Sequence, residues 1–137
     1  MKKILSIIVL LLIIGIIIFF VYFNKSKEVV IDTSPNKAVD MSFQFDKDDI
    51  FSVRYPYESE SLFEITQNIS QEQGWDFYFD DYGDMGILVK QIKDKKNGEE
   101  QKYWQYFINN EQPQISVNNY YPNNEENITW KFIESEF

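Results

Sequence analysis

Four carboxylates, Asp76, Asp80, Asp81 and Asp84, stand within nine residues and beside Gly83. Hard oxygen ligands at such close spacing are what Ca²⁺ takes. The full loop pattern D-x-[DN]-x-[DN]-G-x₅-E is absent, however. Asp and Gly are also ordinary turn residues, so a turn is the preferred reading. Nothing in the spacing sets up the paired carboxylates of glycoside hydrolysis. A second cluster, Lys90, Lys93, Lys95 and Lys96, is where an anionic ligand would go, although a solvated turn is again the preferred reading. The third group is aromatic: Trp75, Tyr78, Tyr82, Tyr103, Trp104, Tyr106, Tyr120, Tyr121 and Trp130. Such rings can pack a core, or they can stack on a flat ligand, a sugar or a peptide.

The missing residue types narrow the chemistry further. The chain has no histidine and no cysteine. The commonest general base and transition-metal ligand is therefore missing, and so are thiolate nucleophiles, disulfides and Fe–S ligation. The usual nucleophile–base pairs cannot be built. The expectation is a protein that is not an enzyme and that carries no cofactor and no metal.

The elements that must position these residues are mostly short. Aromatic residues make 18% of the chain, which favours a sheet. Met41–Phe45 alternates as a strand, with Ile50–Arg54 as its hairpin partner across Asp46–Asp49; Tyr55-Pro56 stops the second strand. Ser61-Leu62-Phe63-Glu64 has the form of a capping box. Leu62, Ile65 and Ile69 then make one apolar face of a helix that Gly74 can end. Strands follow over Trp75–Phe79, Gly86–Ile92, Lys102–Ile108 and Ile128–Ile133. Turns fall at Asp80–Asp84, Asp94–Gly98 and Asn109-Asn110. This order predicts an α+β domain, a mixed or antiparallel sheet with one packed helix.

Ahead of the domain, residues 4–23 are apolar except for Ser6, Gly15 and Tyr22. Twenty helical residues reach about 30 Å, the thickness of the hydrocarbon core. No small-residue cleavage site follows, so an uncleaved transmembrane signal anchor is expected rather than a removable signal peptide. Met1-Lys2-Lys3 would stay in the cytoplasm, residues 24–38 would form a polar stalk, and residues 39–137 the domain outside. From Glu28 onward there are nine basic residues against 22 acidic ones, a net −13. That charge repels phosphate backbones and argues against nucleic acid as a partner.

Taken in order, Ser61–Ile69, Tyr82-Gly83, Gly86–Ile92, Tyr103–Asn109 and Ile128–Phe132 resemble the transcobalamin-like C-terminal domain family. The resemblance covers about residues 39–134. It implies a β-grasp-like module of the kind found on bacterial surfaces. In vertebrate members this small domain closes over cobalamin, and a separate helical domain, with no counterpart legible here, supplies the other half of the site. Two turns depart from the pattern: Asn109-Asn110 stands where Asn-Gly is usual, and Glu126-Asn127 where Gly-Asp is usual. The function implied is a ligand- or partner-binding module on the bacterial envelope, with a cobalamin-like ligand resting on the resemblance alone. The alternative is an adhesion or structural protein that binds another protein.

Alternation along 102–108 sends Trp104, Tyr106 and Ile108 to one face of the strand and Tyr103, Gln105 and Phe107 to the other. With Phe107 assigned to the core, Trp104 and Tyr106 become the expected exposed ligand rings. Trp130 joins them through the resemblance.

The anchor gives the first test. Carbonate extraction should leave the full-length chain in the membrane, and external protease should digest it beyond residue 28. A soluble form beginning near residue 24 would show instead that a signal peptidase removes the segment.

Overall fold

The capping box written into the sequence forms as expected. In the computed structural model, which describes residues 37–134, the single α-helix, α1, spans Leu62–Glu72. The Ser61 hydroxyl accepts from the Glu64 N–H, and the Glu64 carboxylate accepts from the Ser61 N–H at 2.8 Å. Each end of the motif thus satisfies a backbone donor that the helix start leaves free. Leu62, Ile65 and Ile69 are all buried. Burying each contributes about 1.5–3 kcal/mol relative to exposure. Gly74, at φ +67, takes the left-handed position just beyond the helix end, where a Cβ would be strained. The expected anchor at 4–23 and the stalk up to residue 36 lie outside the described residues. Among those described, no helix is long and apolar enough to cross a membrane.

The helix covers one face of a four-stranded sheet ordered β2-β1-β7-β6. Here β1 is Lys37–Gln44, β2 Ile50–Tyr57, β6 Lys102–Ile108 and β7 Asn127–Glu134. β1 pairs antiparallel with β2, as the hairpin reading predicts, and parallel with β7. The other pair, β6 and β7, is antiparallel, so the sheet is mixed. Its buried face carries Val39, Met41 and Phe43 from β1, Ile128, Trp130 and Phe132 from β7, and Trp104 from β6. Thr66 links helix to sheet: its hydroxyl accepts from Trp130 Nε1 at 3.0 Å and donates to the Leu62 carbonyl at 2.7 Å. A buried hydroxyl left without partners would cost about 1–3 kcal/mol.

A second, three-stranded sheet is ordered β3-β4-β5, with β3 at Phe77–Asp81, β4 at Ile87–Ile92 and β5 at Lys95–Lys96. Both its pairings are antiparallel. The one-sheet expectation is thereby corrected to two sheets. The cause is local, because beyond the two residues paired with β5 the β4 edge facing β6 is met by side chains rather than by a strand. Asn97 Nδ2 donates to the Val89 carbonyl at 2.9 Å, while Asn97 Oδ1 accepts from the Trp104 N–H at 2.8 Å. Farther along, the Ile87 N–H is met by Ser116 Oγ at 2.9 Å and Asn118 Oδ1 at 3.1 Å.

Several boundaries also move, three of them by two residues or more for a visible reason. β1 starts at Lys37, so the last two residues of the expected stalk belong to a strand. β2 continues through Pro56 to Tyr57, because it is the outer strand of its sheet and an edge position tolerates a residue without an N–H. β3 begins at Phe77 rather than Trp75, whose ring packs edge-on against Phe45 and Phe51.

The helix face is the simplest point at which to test the fold. Ile65→Asp places a carboxylate at a site with no solvent exposure, at a cost of several kcal/mol against a total stability of about 5–15 kcal/mol. Circular dichroism should show no cooperative melt for this variant; a cooperative one would mean that the helix packs differently.

Candidate functional site

Three consecutive residues of β4, Ile87–Val89, and three of β6, Trp104–Tyr106, line one open-sided cleft. Side chains alternate along a strand, so consecutive residues share a cleft only when it runs along the strands' edges. The cleft is therefore the gap between the two sheets. Trp130 forms part of its floor, and the loop carrying Gln112, Pro113, Ile115, Ser116 and Val117 closes one side. Its volume is 180 Å³.

The loop is held by its polar groups. The Tyr106 hydroxyl donates to the Ile115 carbonyl, and Gln112 Nε2 donates to Gln105 Oε1 at 2.9 Å. Ser116 and Asn118 sit so close to β4 that a Cβ on Gly86 would lie 2.2 Å from Ser116 Oγ. Gly86 also has φ +98, so both the approach and the backbone require glycine there. Beyond the loop, Tyr120 donates to Glu126 Oε2 at 2.6 Å, and Glu126 accepts again from the Asn123 backbone and side chain. Burial alone would raise the Glu126 carboxyl, but the bonds from Asn123 and Tyr120 outweigh it and hold the group below its usual range. Burial, followed by the bond to Glu126, pushes the Tyr120 phenol well up. Burial also raises Tyr106 to about 12. Both phenols therefore stay protonated at neutral pH and act as donors.

All three expected ligand rings, Trp104, Tyr106 and Trp130, do line the cleft. Their expected exposure is corrected: Trp104 is 5% and Trp130 2% exposed, and Tyr106 packs partly against the same core. The two faces of β6 are the reverse of the expectation. Phe107, expected in the core, lies on the far face with the Lys131 ammonium 4.5 Å from its ring centre. Trp104 instead meets Phe45, Trp130 and Phe132, and its indole N–H donates to the Lys95 carbonyl at 2.9 Å.

Sequence reasoning missed the loop 112–117 and the β4 edge. Gly86 was the available signal, since a glycine opening a strand often marks close approach by another segment.

The ionic candidates do not assemble into a site. Asp80 pairs with Lys90 at 2.9 Å, and Asp81 Oδ1 accepts from the Gly83 N–H in the turn at 2.8 Å. Lys93 pairs with Asp49 and lies over the Phe45 ring. Among the described residues, no three acidic side chains come together to hold a metal ion.

Residues 59–134 match the family model described as a domain of unknown function, DUF4430. The chain belongs to this family. No curated protein matches the sequence. Among solved structures, the DUF4430 domain is similar to one from Ruminococcus gnavus, described as a candidate metal-binding protein. The TM-score is 0.59 at 11% identity, covering 72% of this chain and 98% of that one. It is also similar to haptocorrin in complex with Cbi, with a TM-score of 0.60 at 13% identity. That match covers 71% of this chain but only 25% of haptocorrin, so the DUF4430 domain corresponds in fold to a small part of that protein. At these identities the likeness is one of fold, and it agrees with the transcobalamin-like resemblance.

The burial of Trp104 predicts what its removal does. Trp104→Ala should lower the stability of the domain by about 3–5 kcal/mol in a denaturant melt. A loss below about 1 kcal/mol would mean that the ring is free to serve a ligand alone.

Proposed function

We propose that this chain is a membrane-tethered binding module outside the cytoplasm, without catalytic activity, and that the cleft between β4 and β6 receives part of its ligand. The observation that carries the reading is the cleft itself, a concave, mostly apolar hollow floored by Trp104, Tyr106 and Trp130. A concave site favours a ligand over a flat protein partner. Its 180 Å³ is small beside the roughly 300–1,000 Å³ of sites that engulf a ligand. The cleft thus admits one flat or apolar group, and a second surface must cover the rest.

A small domain closing on one side of a large ligand is the part that the transcobalamin-like resemblance implies. The haptocorrin structure supports a corrinoid as the first class to try. Metal binding, the description given to the Ruminococcus gnavus protein, finds no matching donor group among the described residues. The absence of histidine and cysteine supports a role without catalysis. Residues 4–23 would hold the module in the bilayer of a bacterial cell, displaying the acidic domain on the far side.

Calorimetric titration of the full-length chain in detergent with cobalamin tests the reading. Leu88 lines the cleft and is 45% exposed, opposite Asp80 across the β3–β4 pair. Leu88→Lys should therefore leave stability within about 0.5 kcal/mol while weakening binding at least ~10-fold, about 1.4 kcal/mol. Saturable heat from the wild type that Leu88→Lys leaves unchanged would move the site elsewhere. No saturable heat from the wild type would reject a corrinoid.

A further inference from the structure

The backbone of β6 carries more information about the occupant than its side chains do. Its odd-numbered residues bond towards β7, as the Asn109 N–H that follows the strand does with the Asn127 carbonyl. Its even-numbered residues therefore point their backbone groups outward, towards the cleft. Five of these outward groups are satisfied. The Lys102 N–H donates to the Glu99 carbonyl and its carbonyl accepts from the Gly98 N–H, the Trp104 N–H donates to Asn97 Oδ1, and Ile108 exchanges both its backbone bonds with Glu111. Between them, the Trp104 carbonyl and both the N–H and the carbonyl of Tyr106 have no hydrogen-bond partner among the described residues. The segment returning beside this edge brings Pro113, which has no N–H to give.

An unpaired acceptor and donor on residues i and i+2 form the recognition unit of a β-ladder. They take one group that offers an N–H and a C=O together. The cleft lining holds no charged side chain, and the chain from Glu28 onward is strongly acidic. An anion is therefore repelled, and a cation finds no counter-charge in the lining. A neutral amide fits both conditions.

We propose that the group received by the cleft is an uncharged carboxamide, paired with the Trp104 carbonyl and the Tyr106 N–H, its apolar part against the Trp104 and Trp130 rings. This rests on the binding reading above and specifies the chemistry of that site. The amide could come from the side group of a small ligand or from the backbone of an extended peptide.

The test uses the full-length ¹⁵N-labelled chain in detergent micelles, following the Tyr106 amide resonance. Phenylacetamide supplies the primary amide, and N-acetyl-phenylalanine methylamide supplies the backbone amide. Phenylacetate and benzyl methyl ketone are matched in shape but lack neutrality or the N–H. Either amide should shift the Tyr106 resonance saturably, and at least ~10-fold more tightly than the ketone or the acid. The tighter amide identifies the source. A ketone or acid that binds as well as the amides would overturn the pairing while leaving the cleft as a binding site. If no probe shifts any lining residue, the cleft reading fails and the amide proposal fails with it.

Discussion

The parallel pairing of β1 with β7 joins the two ends of the described chain at the centre of one sheet. Parallel neighbours cannot be linked by a tight turn, so the intervening chain must leave the sheet, cross a face and return. The helix provides the covering layer, with Leu62, Ile65 and Ile69 against the central strands. The bond from Trp130 to Thr66 then fixes the helix to the strand that arrives last. β2 and β6 are added outside this pair by antiparallel pairing. Without β1 beside β7, the helix would have no continuous apolar surface to cover.

The second sheet follows from what the first cannot accommodate. β6 is the outer strand of the large sheet, and an open strand edge invites pairing with other chains. Here the protein uses its own side chains to blunt that edge. The Asn97 amide offers one donor and one acceptor in the manner of a peptide group, and it holds β4 and β6 together at one end. The Ser116–Asn118 segment anchors β4 farther along, where only Gly86 permits the approach. The cleft is the part of the gap that these contacts leave unfilled. Its floor is rigid because the rings beneath it belong to the core, and rigid surroundings reduce the entropic cost of binding.

Much of the fold was legible in local signals. The capping box at Ser61 and Glu64, the i, i+3, i+7 spacing on the helix and the alternation at Met41–Phe45 each have one physical meaning, and the structure shows all three. The division into two sheets was hidden, because it depends on single side chains acting across space. Asn97 in a polar run and Ser116 in a loop look like any turn residues. The rings that line the cleft were legible by position and misread by face. Alternation separates Trp104 and Tyr106 from Phe107, but it does not say which side meets the helix. No local signal marks Phe107 for the inside, whereas tryptophan has more area to bury and an N–H that reaches the Lys95 carbonyl. Trp104, Tyr106 and Trp130 prove to be both core and cleft wall, two roles that the sequence reading treated as exclusive.

The central position of β7 also sets the order of events during synthesis. β7 is the last described strand to leave the ribosome, and β1 is the first. The β1–β2 hairpin can form early, but a lone two-stranded hairpin is marginal in water. The helix can form its turns, but an 11-residue helix without a packed face is equally short-lived. The domain therefore stays pliable until β7 has been made, and it then closes in one late step. Such a chain is suited to being threaded through a narrow passage before it acquires its shape.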